Sequence, residues 1–135
     1  MNVSLTNTRV LVVDDNADIR NLLRGVLEQY GAAVVVAHSV DGAIEEFRRC
    51  PAHAVITDIR LGSCDGFELL DEIRKCNLEY KGFTPVVALT GYASAEDEQR
   101  AIAAGFDAYL GKPVEADNIV DVVIRALNGS MDLAA

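Results

Sequence analysis

Unbroken apolar runs alternate along this chain with segments whose apolar residues recur every three or four positions. Arg9-Val-Leu-Val-Val13 is a run of the first kind, the mark of a strand covered on both faces, and Asp14-Asp15 closes it. Asn16 can cap a helix in which Ile19, Leu22, Leu23, Val26, Leu27 and Tyr30 keep helical spacing, with Gly31 ending it. Residues 32–37 form a second strand. Ser39 caps a second helix with Ala43, Ile44 and Phe47 inward, stopped near Cys50-Pro51 because proline cannot continue it. Ala54-Val-Ile-Thr-Asp58 is a third strand that runs straight into one carboxylate, with turn-forming residues following.

The second half repeats the alternation. A helix over about 65–76 carries Phe67, Leu69, Leu70 and Ile73, and residues 77–84 are expected as a polar connector. Residues 85–89 form a fourth strand ending at Thr90-Gly91, and Ser94 with Asp97 resembles a capping box opening an Ala-rich helix that stops at Gly105. Ala108-Tyr-Leu110 is a short fifth strand followed by Gly111-Lys112-Pro113. A last helix from about 114 to 127 turns Ile119, Val123, Ile124 and Leu127 inward, and Gly129 terminates it.

Strand and helix therefore alternate five times. Parallel neighbours need crossover connections, and these are right-handed, so the pattern specifies a parallel sheet with helices on both faces. The expected fold is α/β: a single doubly wound (βα)5 flavodoxin-like domain, its five-stranded parallel sheet in the order 2-1-3-4-5, with a core over about 8–128 of the 135 residues. The first and third strands are then neighbours at the topological switch point, which brings Asp14, Asp15 and Asp58 together.

Composition agrees with one globular domain: half the residues are apolar and 24% are charged. A net charge of −9 speaks against nucleic acid as a direct partner, since phosphate backbones select basic surfaces. No apolar run approaches the roughly 18 residues of a membrane span, and Met1-Asn-Val-Ser-Leu-Thr-Asn has no signal-peptide pattern. Cys50, Cys64 and Cys76 lack metal-type spacing and read as reduced thiols, so a cytoplasmic setting is expected.

Three carboxylates in one place repel each other, and a hard divalent cation with oxygen ligands relieves the repulsion. Mg²⁺ suits such a site best. Acids at a strand end before a helix are also favoured by the helix dipole alone. Thr90 and Lys112 decide between these readings, because both follow strand ends and the topology carries a hydroxyl and an ammonium to the same sheet edge.

With these residues in place the chain resembles the receiver domain of two-component response regulators, the chemotaxis-regulator-like family. The matching residues are Val-Val-Asp14-Asp15-Asn, Ile-Thr-Asp58 with Gly66 eight residues on, Ala-Leu-Thr90-Gly91 and Leu-Gly-Lys112-Pro113. The resemblance implies that Asp58 is the phosphoacceptor, taking a phosphoryl group from a histidine kinase or phosphotransfer domain. It implies that Asp14, Asp15, Asp58 and the backbone carbonyl of Arg60 hold Mg²⁺, with Mn²⁺ as a substitute. Thr90 and Lys112 then bind the phosphoryl group, Tyr109 is the switch aromatic, and the Lys112-Pro113 bond is cis. A downstream protein is expected to dock on the face of the fourth helix, fifth strand and fifth helix. The run from Ala88 through Phe106-Asp107 resembles receivers of hybrid kinases, whereas the start at Met1 suits a free-standing regulator.

The chain departs from the family pattern at Gly62, where many members have proline. Arg60 and Tyr92 stand at positions that tune phosphoryl lifetime, although Tyr92 equally suits ordinary loop packing. Cys64 reads as a small loop residue, and His38 and His53 as packing or surface residues. The alternative from another class is a small Mg²⁺-dependent phosphatase of the haloacid-dehalogenase type. That class wants a second acid two residues after its nucleophile, and Arg60 breaks this spacing after Asp58.

Overall fold

The computed structural model describes residues 4–61, 64–91 and 95–129, with the backbone alone described at positions 60, 61, 64, 65, 95 and 97. Five parallel strands, β1 (Arg9–Val13), β2 (Ala33–Ala37), β3 (Ala54–Asp58), β4 (Val86–Thr90) and β5 (Ala108–Gly111), form one sheet in the order β2-β1-β3-β4-β5. Helices α1 (Ala17–Gln29), α2 (Val40–Arg49), α3 (Gly66–Tyr80), α4 (Ala95–Ala104) and α5 (Ala116–Leu127) connect or follow them.

Strand side chains alternate between two faces, and each face has its own core. Val10, Val12, Ala54, Ile56, Val87 and Leu89 pack with Leu23, Val26 and Leu27 of α1 and with Ile119 and Val123 of α5. Leu11, Val13, Val55, Val86 and Ala88 pack with Phe47 of α2, Leu69, Leu70 and Ile73 of α3, and Ala101 of α4. Burial of each such large aliphatic side chain contributes about 1.5–3 kcal/mol before chain entropy is counted. All five residues of β3 are buried, so its terminal carboxylate is delivered to the sheet edge by a fully buried strand.

The helix starts follow local chemistry. Asn16 Oδ1 accepts from the Ile19 amide at 3.1 Å, and Ser39 Oγ accepts from the Gly42 amide at 3.1 Å. Beyond α1, Gly31 sits at φ +98°, where a side chain is disfavoured.

Several elements differ from the sequence expectation. The third helix runs to Tyr80 rather than stopping near Cys76, and Asn77 is buried within it. Its amide survives burial because Nδ2 donates to Thr84 Oγ1 at 3.0 Å while Oδ1 accepts from the Thr84 amide at 3.2 Å. Leu22 shares the helical spacing of the apolar positions of α1 but is 42% exposed. Strand β4 is shifted one residue toward Thr90, and the last helix starts at Ala116 rather than near position 114. A two-residue antiparallel ladder, Arg60–Leu61 with Cys64–Asp65, follows β3 and was not expected. The Ser94 cap and the Gly62 and Tyr92 positions lie outside the described residues.

Candidate functional site

Asp14 is the first residue beyond β1, and all of its polar groups but one are hydrogen-bonded. Its amide donates to the Ala37 carbonyl at 3.2 Å, its carbonyl accepts from Arg20 Nη1 at 2.7 Å, and its Oδ1 accepts from the Asn16 amide at 2.9 Å. Oδ2 is buried without a hydrogen-bond partner. Lys112 Nζ lies 3.1 Å from it as an ion contact. Burial pushes the Asp14 carboxyl above its ordinary pKa, helped by the charge of Asp58 and opposed by the Asn16 amide and Lys112.

Asp58 ends β3 and is 7% exposed, whereas Asp15 is exposed. One carboxylate oxygen from each of Asp14, Asp15 and Asp58 lies within 4.8 Å of the others. The parallel register explains the meeting: Val13 pairs with Thr57, so the residues that follow these two positions leave adjacent strands at the same edge.

Lys112 follows β5 and comes to the same edge. Its amide donates to the Thr90 carbonyl at 2.7 Å, which ties the end of β5 to the end of β4. Its Nζ donates to Asp58 Oδ2 at 3.1 Å. Burial disfavours the ammonium, but the bonds and charges of Asp58 and Asp14 outweigh this and raise its pKa above the ordinary lysine value. The Lys112-Pro113 peptide is cis, as the sequence resemblance implied. Thr90 is the last residue of β4, 5% exposed and opposite Gly111. Tyr109, partly buried, packs against the core on the α2–α3 side of the sheet.

Gly66 has a reason of close approach. A Cβ there would stand 2.6 Å from the Asp58 carbonyl oxygen and 3.1 Å from Ile59 Cα, while the Gly66 amide donates to the Ile59 carbonyl at 2.7 Å. Only glycine lets α3 begin so close to the residue that ends β3.

The donor set fits a hard divalent cation. It offers carboxylate oxygens and no sulfur or nitrogen, and one buried oxygen lacks a hydrogen bond. For Arg60 the backbone alone is described, pairing with Asp65 just after the acid strand. Neither His38 nor His53, both exposed, is part of the three-acid group, and His53 Nδ1 accepts from the Arg9 amide at 2.8 Å, a structural bond. A cleft of about 400 Å³ lined by Tyr80, Phe83, Pro85 and Leu127 lies at the opposite rim of the sheet and includes none of the acids. Sequence reasoning missed Arg20, whose partner is a backbone carbonyl and so leaves no pattern of side chains to read.

The family model for the response regulator receiver domain matches residues 10–124. The uncharacterized 14.6 kDa protein of the sodA1 3′ region of Leptolyngbya boryana is 40% identical over 121 residues, covering 89% of this chain and 90% of its own. The nitrogen assimilation regulatory protein NtrX of Azorhizobium caulinodans is 38% identical over 120 residues, covering 87% of this chain but 26% of its own. Among solved structures, the chemotaxis response regulator CheY4 of Vibrio cholerae superposes with a TM-score of 0.80 at 28% identity, covering 88% of this chain and 98% of that one. The chain thus spans nearly all of two of these proteins and about a quarter of NtrX.

Proposed function

This chain belongs to the response regulator receiver domain family, and on that premise we propose that Asp58 accepts a phosphoryl group from a phosphohistidine donor. The observation that carries the reading is the position of Lys112, whose Nζ stands 3.1 Å from both Asp58 Oδ2 and Asp14 Oδ2 beside the three-acid cluster.

Phosphoryl transfer asks a protein mainly for positioning and neutralisation of charge. An Asp58 carboxylate oxygen forms a bond to phosphorus as the P–N bond of the donor histidine breaks. The electron pair of that bond stays on the imidazole, which takes up a proton as it leaves. Lys112 pairs with the transferred group, and the Thr90 hydroxyl donates to one of its oxygens. Mg²⁺ or Mn²⁺, held by Asp14, Asp15, Asp58 and the Arg60 carbonyl, supplies neutralisation of the transferring oxygens when bound. Water attack on the phosphorus later releases inorganic phosphate and regenerates the Asp58 carboxylate.

Bonds from Lys112 and Thr90 that exist only in the phosphorylated state are worth about 1–3 kcal/mol each. Together about 3–5 kcal/mol shifts a two-state equilibrium by roughly 10²–10³. The reading couples this to Tyr109, which turns as Thr90 moves and so remodels the face of α4, β5 and α5 for a downstream protein. The donor is a histidine kinase or phosphotransfer domain, in a single receiver unit over 1–135 that works by protein contact in the cytoplasm and does not contact nucleic acid. Among the described residues no helix is long and apolar enough to cross a membrane. The phosphatase alternative has no support from the family match.

Incubation with acetyl phosphate and Mg²⁺ tests the proposal. The expected result is a mass gain of one phosphoryl group that Asp58→Asn abolishes. A gain retained by that variant, or none in the wild type, overturns it.

A further inference from the structure

We infer that Arg20 is a positioning residue for Asp14: its guanidinium fixes the peptide group that aims Asp14 Oδ2, the carboxylate oxygen not taken by a backbone amide, at the cation site. The inference rests on the reading of the three acids as a metal site.

Arg20 lies in the first turn of α1, where its amide bonds the Asn16 carbonyl at 3.1 Å. Helical side chains lean toward the N-terminus of their helix, so an arginine here reaches back over the turn that joins β1 to α1. Nη1 meets the Asp14 carbonyl at 2.7 Å, a charge-assisted bond to a residue with no exposed surface. The peptide groups on both sides of the Asp14 Cα are thereby held, by Ala37 at the amide and by Arg20 at the carbonyl. With Oδ1 on the Asn16 amide, Oδ2 points where it does because the backbone beneath it has no freedom to turn. The Asp14 carbonyl belongs to the peptide that leads into Asp15, so the same bond sets the direction of the second acid.

The partner chosen by Arg20 is informative. Among the described residues Arg20 makes no ion pair with a carboxylate, and its contact is to a carbonyl. Lys112, in contrast, sits on the carboxylate oxygens themselves. The arginine thus organises the acids without occupying the oxygens a cation needs. Outer groups that orient metal ligands typically control affinity by about 10–100-fold.

The test is Mg²⁺ binding by calorimetry to the wild type, Arg20→Met and Arg20→Lys, with melting temperatures of each in EDTA and in saturating Mg²⁺. Arg20→Met should bind Mg²⁺ about tenfold more weakly, and Arg20→Lys, which keeps a donor on a shorter head, should recover part of the loss. The rise in melting temperature given by Mg²⁺ should shrink in Arg20→Met. A purely structural arginine would lower both melting temperatures equally and leave the Mg²⁺ affinity unchanged, and that result overturns the inference. So does tighter binding by Arg20→Met, which would mean that its charge merely repels the cation. A wild type that binds no Mg²⁺ overturns the metal reading itself, and this inference with it.

Discussion

The Lys112 ammonium meets the Asp58 carboxylate at 3.1 Å across 54 residues of chain. The same nitrogen is 3.1 Å from Asp14, so one side chain serves as counter-ion to two acids that would otherwise repel. The pair is largely shielded, with side-chain exposures of 22% for Lys112 and 10% for Asp58. Removing one partner of a buried ion pair strands the other charge. Lys112→Met should therefore lower stability in EDTA by about 2 kcal/mol, less than for a fully buried pair. Mg²⁺ should restore most of the loss, because it replaces the missing positive charge. Urea unfolding with and without Mg²⁺ checks this, and an equal loss under both conditions would contradict it.

Asp14 makes the opposite prediction for the metal-free protein. Burial raises its folded pKa above the ordinary 3.8. Between these two values the folded state binds more protons than the unfolded one, so stability falls as pH rises through the window. Above it, the ionised acid is a net burden. Asp14→Asn should accordingly melt higher than the wild type at pH 7 in EDTA, and its advantage should vanish as pH falls toward 3.8. In Mg²⁺ the order should narrow or reverse, because the variant lacks the ligand that the cation stabilises.

Gly66 bears on both stability and chemistry. A Cβ added there lands 2.6 Å from the Asp58 carbonyl oxygen, a backbone atom that has no rotamer to retreat into. Gly66→Ala should cost about 1–3 kcal/mol in urea unfolding. It should also slow labelling by acetyl phosphate, because relief of the contact moves the backbone that carries the acceptor. Labelling at the wild-type rate would show that Asp58 is insulated from the start of α3.

Cys76 offers a pH test far from the acids. It is 1% exposed, and burial pushes its thiol above the ordinary 9.0. From pH 9.0 upward the unfolded chain loses a proton that the fold retains, so this group lowers stability as pH rises. Cys76→Ala removes a buried sulfur and should cost about 1–2 kcal/mol near neutrality. The gap between wild type and variant should narrow above pH 9, as measured by urea titrations across that range. A constant gap would contradict the buried-thiol account.

What was legible in the sequence divides along physical lines. Strand order and the meeting of Asp14, Asp15 and Asp58 follow from unbroken apolar runs, two of which end in carboxylates, alternating with segments of helical period, and the structure has both. Lys112 was legible for the same reason, as a cation just beyond a strand. The continuation of α3 past Cys76 was not, because a buried asparagine reads as a connector until its partner Thr84 is in place. Leu22 kept helical spacing yet faces outward, since periodicity defines a face but not its width. The Arg20 bond to Asp14 was hidden because its acceptor is a main-chain oxygen that every residue has.

Peptide mapping after borohydride reduction tests the central claim most directly. Reduction of an aspartyl phosphate releases phosphate and leaves homoserine at the modified residue. Protein treated with acetyl phosphate and Mg²⁺, then reduced, should carry homoserine at position 58 and nowhere else. Homoserine at position 14 or 15, or at no position in protein that had gained a phosphoryl group, would contradict the account.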